Sequence, residues 1–292
     1  MTLFYVLEQN PLFFILLSGL LGLLVGSFLN VVVHRLPIMM ERNWRRECTE
    51  FLEMPEPEER PPTLNLLTPR SRCPVCNHAI AAWENIPVLS YLFLKGRCVQ
   101  CNTKISARYP LVESFTGICT ALAAWHFGFG WEALLAFILV WSLISLSFID
   151  IDHQLLPDSI TLPILWLGIF ISVFEIYTDS PTSIIGAVAG YLTLWLVYHL
   201  FKLATGKEGM GYGDFKLLAL LGAWMGWQFL PLIILLSSLV GAVVGISMML
   251  FFNHDRQTPI PFGPYLAAAG FITLIWGEKI IAYYLTSIGI SG

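Results

Sequence analysis

Aspartates lie beside two of the long apolar runs of this chain. Asp150 and Asp152 end one run, in the sequence Phe-Ile-Asp-Ile-Asp-His, and Asp214 follows Gly-Met-Gly-Tyr-Gly at the start of another. Ionisable groups beside membrane spans are costly, so they are candidates for function. Two carboxylates at one depth can share a proton if they lie within a few ångström of each other, because like charges at that separation do not both ionise. The protonated carboxyl then acts as an acid while the ionised one activates water, as in aspartic-protease chemistry.

Each of these carboxylates also has an interpretation that needs no chemistry. Asp150 could be a polar helix end, and Asp214 could cap the helix that it opens. Asp152 is two residues from Asp150 and would point elsewhere on a helix, as a solvated acid or a substrate contact. Asp158 follows Pro157 and is predicted to be the N-cap of the next helix. The residues alone do not choose between Asp150 and Asp152 as the partner of Asp214.

Glycine and proline surround the aspartates. Gly211 and Gly213 lack a Cβ, so the backbone beside Asp214 can closely approach its partner or a substrate. The segment Thr258–Pro264 (TPIPFGP) keeps the backbone non-helical before the last apolar run. Membranes tolerate such backbone only where it is buried or lines a wet cavity. We expect this segment to border the aspartates, where it could pair with an extended peptide; the alternative is a plain loop.

Four cysteines form a second candidate site. Cys73-Pro-Val-Cys76 and Cys98-Val-Gln-Cys101 are two Cys-x2-Cys pairs with 21 residues between them. Two such pairs supply four thiolates to a tetrahedral zinc ion. A closed set of four thiolates leaves no open coordination position, so the zinc is predicted to be structural and to fold a segment with almost no apolar core. The alternative is four unliganded cysteines in a loop.

The composition indicates which elements position these residues. Of the 292 residues, 56% are hydrophobic and only 12% are charged, and the mean hydropathy is +0.70. Soluble domains average about 25% charged residues. An ordinary soluble enzyme, a disordered chain and a nucleic-acid binder are thereby excluded, and a polytopic protein of the lipid bilayer is favoured. Apolar runs predict eight transmembrane helices, at 11–33, 110–129, 131–149, 159–177, 182–203, 214–228, 230–252 and 263–285.

One long segment of the chain is polar. Residues 36–109 are predicted to form a cytoplasmic zinc-binding domain between a first transmembrane helix, 1–35, and a seven-helix domain, 110–292. Eleven of the sixteen Lys and Arg residues lie from Arg35 to Arg108. The positive-inside rule places this segment in the cytoplasm and the aspartates at the cytoplasmic face. The predicted fold class is an all-α polytopic membrane protein with about eight transmembrane helices and one cytoplasmic zinc-binding loop domain.

At these positions the chain resembles the type IV prepilin peptidases, which are GxGD intramembrane aspartyl proteases. The motifs that carry the resemblance cover nearly the whole chain. Besides the cysteine quartet they are Gly26-Ser-Phe-Leu-Asn30, His34-Arg-Leu-Pro37, Trp83-Glu-Asn-Ile-Pro87, Arg108-Tyr-Pro-Leu-Val-Glu113, the run from Asp150 to Asp158, and Gly211-Tyr-Gly213-Asp214.

The resemblance implies an enzyme with two activities. It would cut the basic leader from type 4 prepilins or type II secretion pseudopilins, at the cytoplasmic face of the bacterial inner membrane, with Asp150 and Asp214 as the catalytic pair. It would then methylate the new N-terminal residue with S-adenosylmethionine. The sequence has no Rossmann-type glycine fingerprint, so we expect the methyl donor to bind in or beside the polar segment. Gly96 is the candidate contact, with a turn as the alternative; Glu113 is either a group of that cleft or a helix-start carboxylate.

Two other classes of function compete with this one. A transporter would use the aspartates to carry protons or cations, but transporter acids usually lie near the midplane, and these are predicted at one membrane face. A binding or assembly protein, docking a partner on the zinc segment, would leave the paired aspartates unexplained. The sequence does not fix the oligomeric state.

Overall fold

A computed structural model of the chain describes residues 3–54, 64–251, 261–287 and 289. In that part of the chain the regular structure is helical, and the β-structure is limited to two isolated bridges. The predicted all-α class is confirmed for these residues. The helices are α1 (Leu3–Gln9), α2 (Pro11–Phe51), α3 (Leu89–Phe93), α4 (Arg108–Phe127), α5 (Trp131–His153), α6 (Asp158–Ser172), α7 (Ser180–Thr205), α8 (Tyr212–Met225), α9 (Leu230–Phe251) and α10 (Gly263–Ser287), with 3₁₀ turns at Ala82–Asn85 and Trp227–Phe229.

The chain divides into two compact units, Met1–Ala133 and Leu134–Gly292. In the first unit, α2 packs closely against α4. A Cβ added to Gly22 would lie 2.5 Å from Thr120 Oγ1, and one added to Gly26 would lie 2.8 Å from Glu113 Cα. Small residues let membrane helices approach each other in this way.

Helix α2 is much longer than the apolar run that predicts it. It has 41 residues, which span about 62 Å. A hydrocarbon core is about 30 Å thick. The run 11–33 is the N-terminal part of α2, and the charged C-terminal part continues the same helix beyond it.

Helix α8 lies at the centre of the second unit, where it packs against α6, α7 and α10. Its 14 residues make it short, but Leu217, Leu218, Leu220 and Leu221 are fully buried. A helix that is apolar on all sides is typical of a core. Its carboxyl end is fixed by hydrogen bonds, including the one that Ser183 Oγ donates to the Ala223 carbonyl at 2.6 Å.

Within the described ranges, five helical segments are long and apolar enough to cross a membrane, namely α2, α5, α7, Trp227–Leu250 and α10. We therefore treat the chain as a multi-pass membrane protein. Each of the eight predicted runs overlaps a helix, but α4, α6 and α8 are not among these five segments. The count of eight spans, like the domain boundaries at residues 35 and 109, stays a prediction.

Candidate active site and metal centre

The structure brings Asp150 and Asp214 together in the second unit. Asp150 lies near the end of α5, and Asp214 lies in the first turn of α8. Both residues are only 6% exposed. The two carboxyls are close enough for the charge of Asp150 to act on Asp214. Proton sharing requires two buried acids that lie within range of each other's charge, as these two do.

The first residue of α10 contacts Asp150. The backbone N–H of Gly263 donates to Asp150 Oδ2 at 3.0 Å, and a Cβ added to Gly263 would lie 2.7 Å from the same oxygen. Only glycine lets the backbone donor approach the carboxylate this closely without displacing it. The prediction that the segment Thr258–Pro264 borders the aspartates is confirmed for Gly263. Residues 258–260 lie outside the described part of the chain.

Leu156 packs against the backbone beside each aspartate. A Cβ added to Gly213 would lie 2.7 Å from Leu156 Cβ, and one added to Gly263 would lie 3.2 Å from Leu156 Cδ2. The close approach at Gly213 therefore serves packing against Leu156. By contrast, a Cβ on Gly211 would come no nearer than 3.8 Å, to Asp214 Oδ2, which is an ordinary contact.

Asp158 does not have the predicted role. The N-cap of α6 is Pro157, and Asp158 is the first helical residue, so the N-cap interpretation of Asp158 is wrong. Its carboxylate instead accepts hydrogen bonds from Lys216 Nζ at 2.7 and 2.8 Å. Lys216 is the one cation of the apolar helix α8, but the local sequence gives no sign that it pairs with Asp158. Asp152, the alternative partner of Asp214, is exposed near the end of α5.

We expect Asp158→Asn to destabilise the protein only slightly. The side chains of Lys216 and Asp158 are 30% and 53% exposed, and ion pairs of this kind contribute up to about 1 kcal/mol. Denaturant titration in detergent of Asp158→Asn, Lys216→Met and the double variant measures the coupling between the two residues. A coupling free energy of several kcal/mol would contradict this prediction.

The four predicted cysteine ligands come together in the first unit. Their sulfur atoms all lie within 4.8 Å of one another. Cys73 Sγ is 3.7 Å from Cys101 Sγ, and Cys76 Sγ is 3.9 Å from Cys98 Sγ. A tetrahedral site with Zn–S bonds of about 2.3 Å separates its sulfurs by about 3.8 Å, whereas a disulfide bond is about 2.05 Å long. The spacing therefore fits a bound metal ion and not two disulfides.

Each cysteine pair forms the same tight turn. The N–H of Asn77 donates to the Cys73 carbonyl at 2.9 Å, and the N–H of Asn102 donates to the Cys98 carbonyl at 3.0 Å. These asparagines have φ angles of 58° and 56°, a left-handed conformation that asparagine adopts more readily than most residues. The two turns thus present their four sulfurs in matching geometry.

Polar contacts hold the turns and the segment between them. Cys101 Sγ donates a hydrogen bond to Thr103 Oγ1 at 3.2 Å. Farther along the segment, His78 Nε2 lies 3.1 Å from Glu84 Oε2. Glu84 also accepts a hydrogen bond from the Ala81 N–H at 2.9 Å, and this bond holds the pKa of the Glu84 carboxyl below its usual range.

Gly96 and Glu113, named for the methyl-donor site, both have structural partners. Gly96 is buried with φ +66°, and a Cβ there would lie 2.8 Å from the ring of Tyr91, so the turn alone requires glycine. Glu113 is 8% exposed and accepts a hydrogen bond from the Val88 N–H at 2.8 Å. It lies beyond the first turn of α4, where the helix dipole has little effect. Contact of either residue with a methyl donor stays a prediction.

Two family models match this chain, one in its N-terminal part and one in its C-terminal part. The model of the Bacterial Peptidase A24 N-terminal domain matches residues 20–127, and that of the Type IV leader peptidase family matches residues 137–246. The chain is also 58% identical over 285 residues to the Prepilin leader peptidase/N-methyltransferase of Stutzerimonas stutzeri, covering 98% of each chain. The chain belongs to the type IV leader peptidase family. The family resemblance given by the motifs is thereby confirmed.

Other relatives carry the same name. The Pseudomonas aeruginosa protein is 57% identical over 289 residues, covering 99% of each chain. The Legionella pneumophila protein is 46% identical over 275 residues, covering 94% of this chain and 96% of that one. No solved structure matches the chain. The leader peptidase match contains Asp150 and Asp214, and the N-terminal match contains the four cysteines.

Proposed function

We propose that this chain cuts the leader from type 4 prepilins and type II secretion pseudopilins with Asp150 and Asp214. It then methylates the new N-terminal residue with S-adenosylmethionine. The observation that carries the proposal is the pairing of two buried carboxylates from different helices of the leader peptidase region. The relatives named Prepilin leader peptidase/N-methyltransferase, which match over nearly the full length, support both activities.

In this proposal the two aspartates share one proton. The ionised member accepts a proton from water as the water attacks the scissile carbonyl, and the protonated member donates its proton to the carbonyl oxygen. The C–N bond then breaks: the first carboxyl passes its proton to the leaving amine, and the second takes a proton back from the tetrahedral intermediate, so the pair again holds one proton. The Gly263 N–H donates to Oδ2 of Asp150 and so helps to orient this carboxyl. No nucleophilic side chain is required.

The remaining parts of the proposal concern metal, methyl donor and orientation. The four cysteines hold a structural zinc ion, which supplies folding free energy to the polar segment; their sulfur spacing supports this. The methyl donor binds in or beside that segment, with Gly96 as the candidate contact. Most Lys and Arg residues lie from Arg35 to Arg108, which supports a cytoplasmic position for this segment. With eight spans, the aspartates then lie at the cytoplasmic face as well.

The first test uses the purified full chain in detergent with a full-length prepilin. We expect mass spectrometry to show loss of the leader without S-adenosylmethionine, and leader loss plus one added methyl group with it. S-adenosylmethionine should also raise the melting temperature, because a ligand that binds the folded state stabilises it. An intact prepilin after incubation with folded enzyme would contradict the peptidase proposal. Cleavage without methylation would contradict only the second activity.

The two glycines of the Gly-Tyr-Gly-Asp motif should respond differently to alanine. Gly213→Ala should lower leader cleavage at least about tenfold, because the new Cβ would meet Leu156 at 2.7 Å and displace the start of α8. Gly211→Ala should keep cleavage near the wild-type rate, since its Cβ would make only an ordinary contact. Cleavage rates of the two folded variants check this prediction. Equal losses would show that the space at Gly213 is not what matters.

A further inference from the structure

An apolar groove opens between α7, α9 and the start of α10. Its volume is about 460 Å³. Apolar side chains line it on each side, among them Leu194 and Val197 of α7, Ile234 and Ala242 of α9, and Met210 and Phe262. Between Ile234 and Ala242, α9 advances about 12 Å. The groove is therefore long enough for about two turns of a second helix.

One end of the groove adjoins the aspartates. Met210 lies in the loop that leads into α8, four residues before Asp214. Phe262 immediately precedes Gly263, whose N–H is bonded to Asp150. These two lining residues place the groove beside the candidate active site, and α7 and α9 are helices of membrane-spanning length.

Beyond Ile234, the residues of α9 that line the groove are small. Ser238, Gly241 and Ala242 lie on one face of the helix, and Ser238 and Ala242 are exposed. Small side chains on a membrane helix allow another helix to pack closely. Among the described residues that line the groove there is no Asp, Glu, Lys or Arg, so this lining suits an apolar partner that enters from the lipid.

We propose that this groove binds an apolar segment of the substrate next to the scissile bond, as a helix of about two turns. It thereby delivers that bond to Asp150 and Asp214. The proposal rests on the proposed function and adds the surface that recognises the substrate. Since most of the lining side chains are apolar, we expect the substrate residues that enter the groove to be apolar as well.

Photo-crosslinking tests the occupant directly. A benzoylphenylalanine is placed at Ala242 in the Asp214→Asn variant, which is intended to keep the substrate uncut. The matched control carries it at Val243, which is 59% exposed and is not a lining residue. We expect crosslinks to full-length prepilin from position 242 and at least tenfold fewer from position 243. Equal crosslinking at the two positions, or crosslinking of position 242 to lipid alone, would overturn the proposal.

Filling the groove separates substrate recognition from chemistry. Ala242→Trp should raise KM for full-length prepilin at least tenfold, while cleavage of a soluble peptide that spans the scissile bond but lacks the apolar segment stays unchanged. Val243→Trp should leave both substrates unaffected. If Ala242→Trp impairs both substrates equally or neither, the groove does not bind the apolar segment. If the wild-type enzyme cuts neither substrate, the proposed function itself is wrong.

Discussion

Asp150→Asn and Asp214→Asn should each abolish leader cleavage while leaving the protein folded. Asparagine keeps the shape of aspartate but carries no titratable proton, so neither half of the acid–base pair can work without the other. Positioned acid–base groups contribute roughly 10²–10⁴-fold to rate, and we expect losses in that range for either variant. The measurement is the initial rate of leader release from full-length prepilin in detergent, with melting temperature as the check on folding.

The neighbouring aspartate provides the matched control. Asp152 lies two residues from Asp150 on α5 but is exposed, so Asp152→Asn should cut at close to the wild-type rate. If Asp150→Asn cuts normally and Asp152→Asn does not, Asp152 is the partner of Asp214. If all three variants cut normally, the aspartates are not the peptidase site and the transporter hypothesis regains weight.

The same aspartate variants separate the two activities. Methylation of a prepilin that has already been cut should persist in Asp150→Asn and Asp214→Asn, because the proposed methyl-donor site lies in or beside the polar segment. Loss of methylation in folded variants would show that one site serves both reactions.

The sequence predicts the positions of the helices in this protein better than it predicts their lengths. Hydropathy identifies the apolar part of α2 because burial in lipid needs apolar side chains. It does not identify the charged continuation of α2. That part carries ion pairs between residues four apart on the helix, such as the one between Arg45 and Glu41 at 2.7 Å. The central position of α8 is also invisible to hydropathy alone, because a short apolar run fits a weak span as well as a core helix.

The candidate sites differ in how much of them spacing could predict. Each Cys-x2-Cys pair closes one turn, so the local sequence determines its geometry. The spacing therefore predicts all four cysteines of the quartet. The interpretation of Asp158 was wrong because its partner Lys216 is 58 positions away and a cap is judged from local sequence. The hydrogen bond from Gly263 to Asp150 joins positions 113 apart. Only the tertiary structure shows such pairs.

Replacing one cysteine of the quartet should have the second large effect. We expect Cys98→Ser to reduce bound zinc from close to one equivalent to almost none, because the buried Cys98 is one of only four proposed ligands. Structural zinc contributes about 10–16 kcal/mol to the folding of small metal-dependent domains at neutral pH. Loss of this much free energy should unfold the polar segment. Metal analysis of protein purified without chelator, with limited proteolysis of residues 64–107, measures both effects.

Cys48 offers the control for that experiment, since it is exposed and outside the quartet. Cys48→Ser should keep both the zinc and the resistance of the polar segment to proteolysis, which excludes a general effect of losing a thiol. The polar segment has few buried apolar side chains, so we expect its fold to depend on a bound ion and not on a core of its own. Wild-type protein that holds almost no metal but still resists proteolysis would show that hydrogen bonds such as His78–Glu84 suffice, and the zinc proposal would then be wrong.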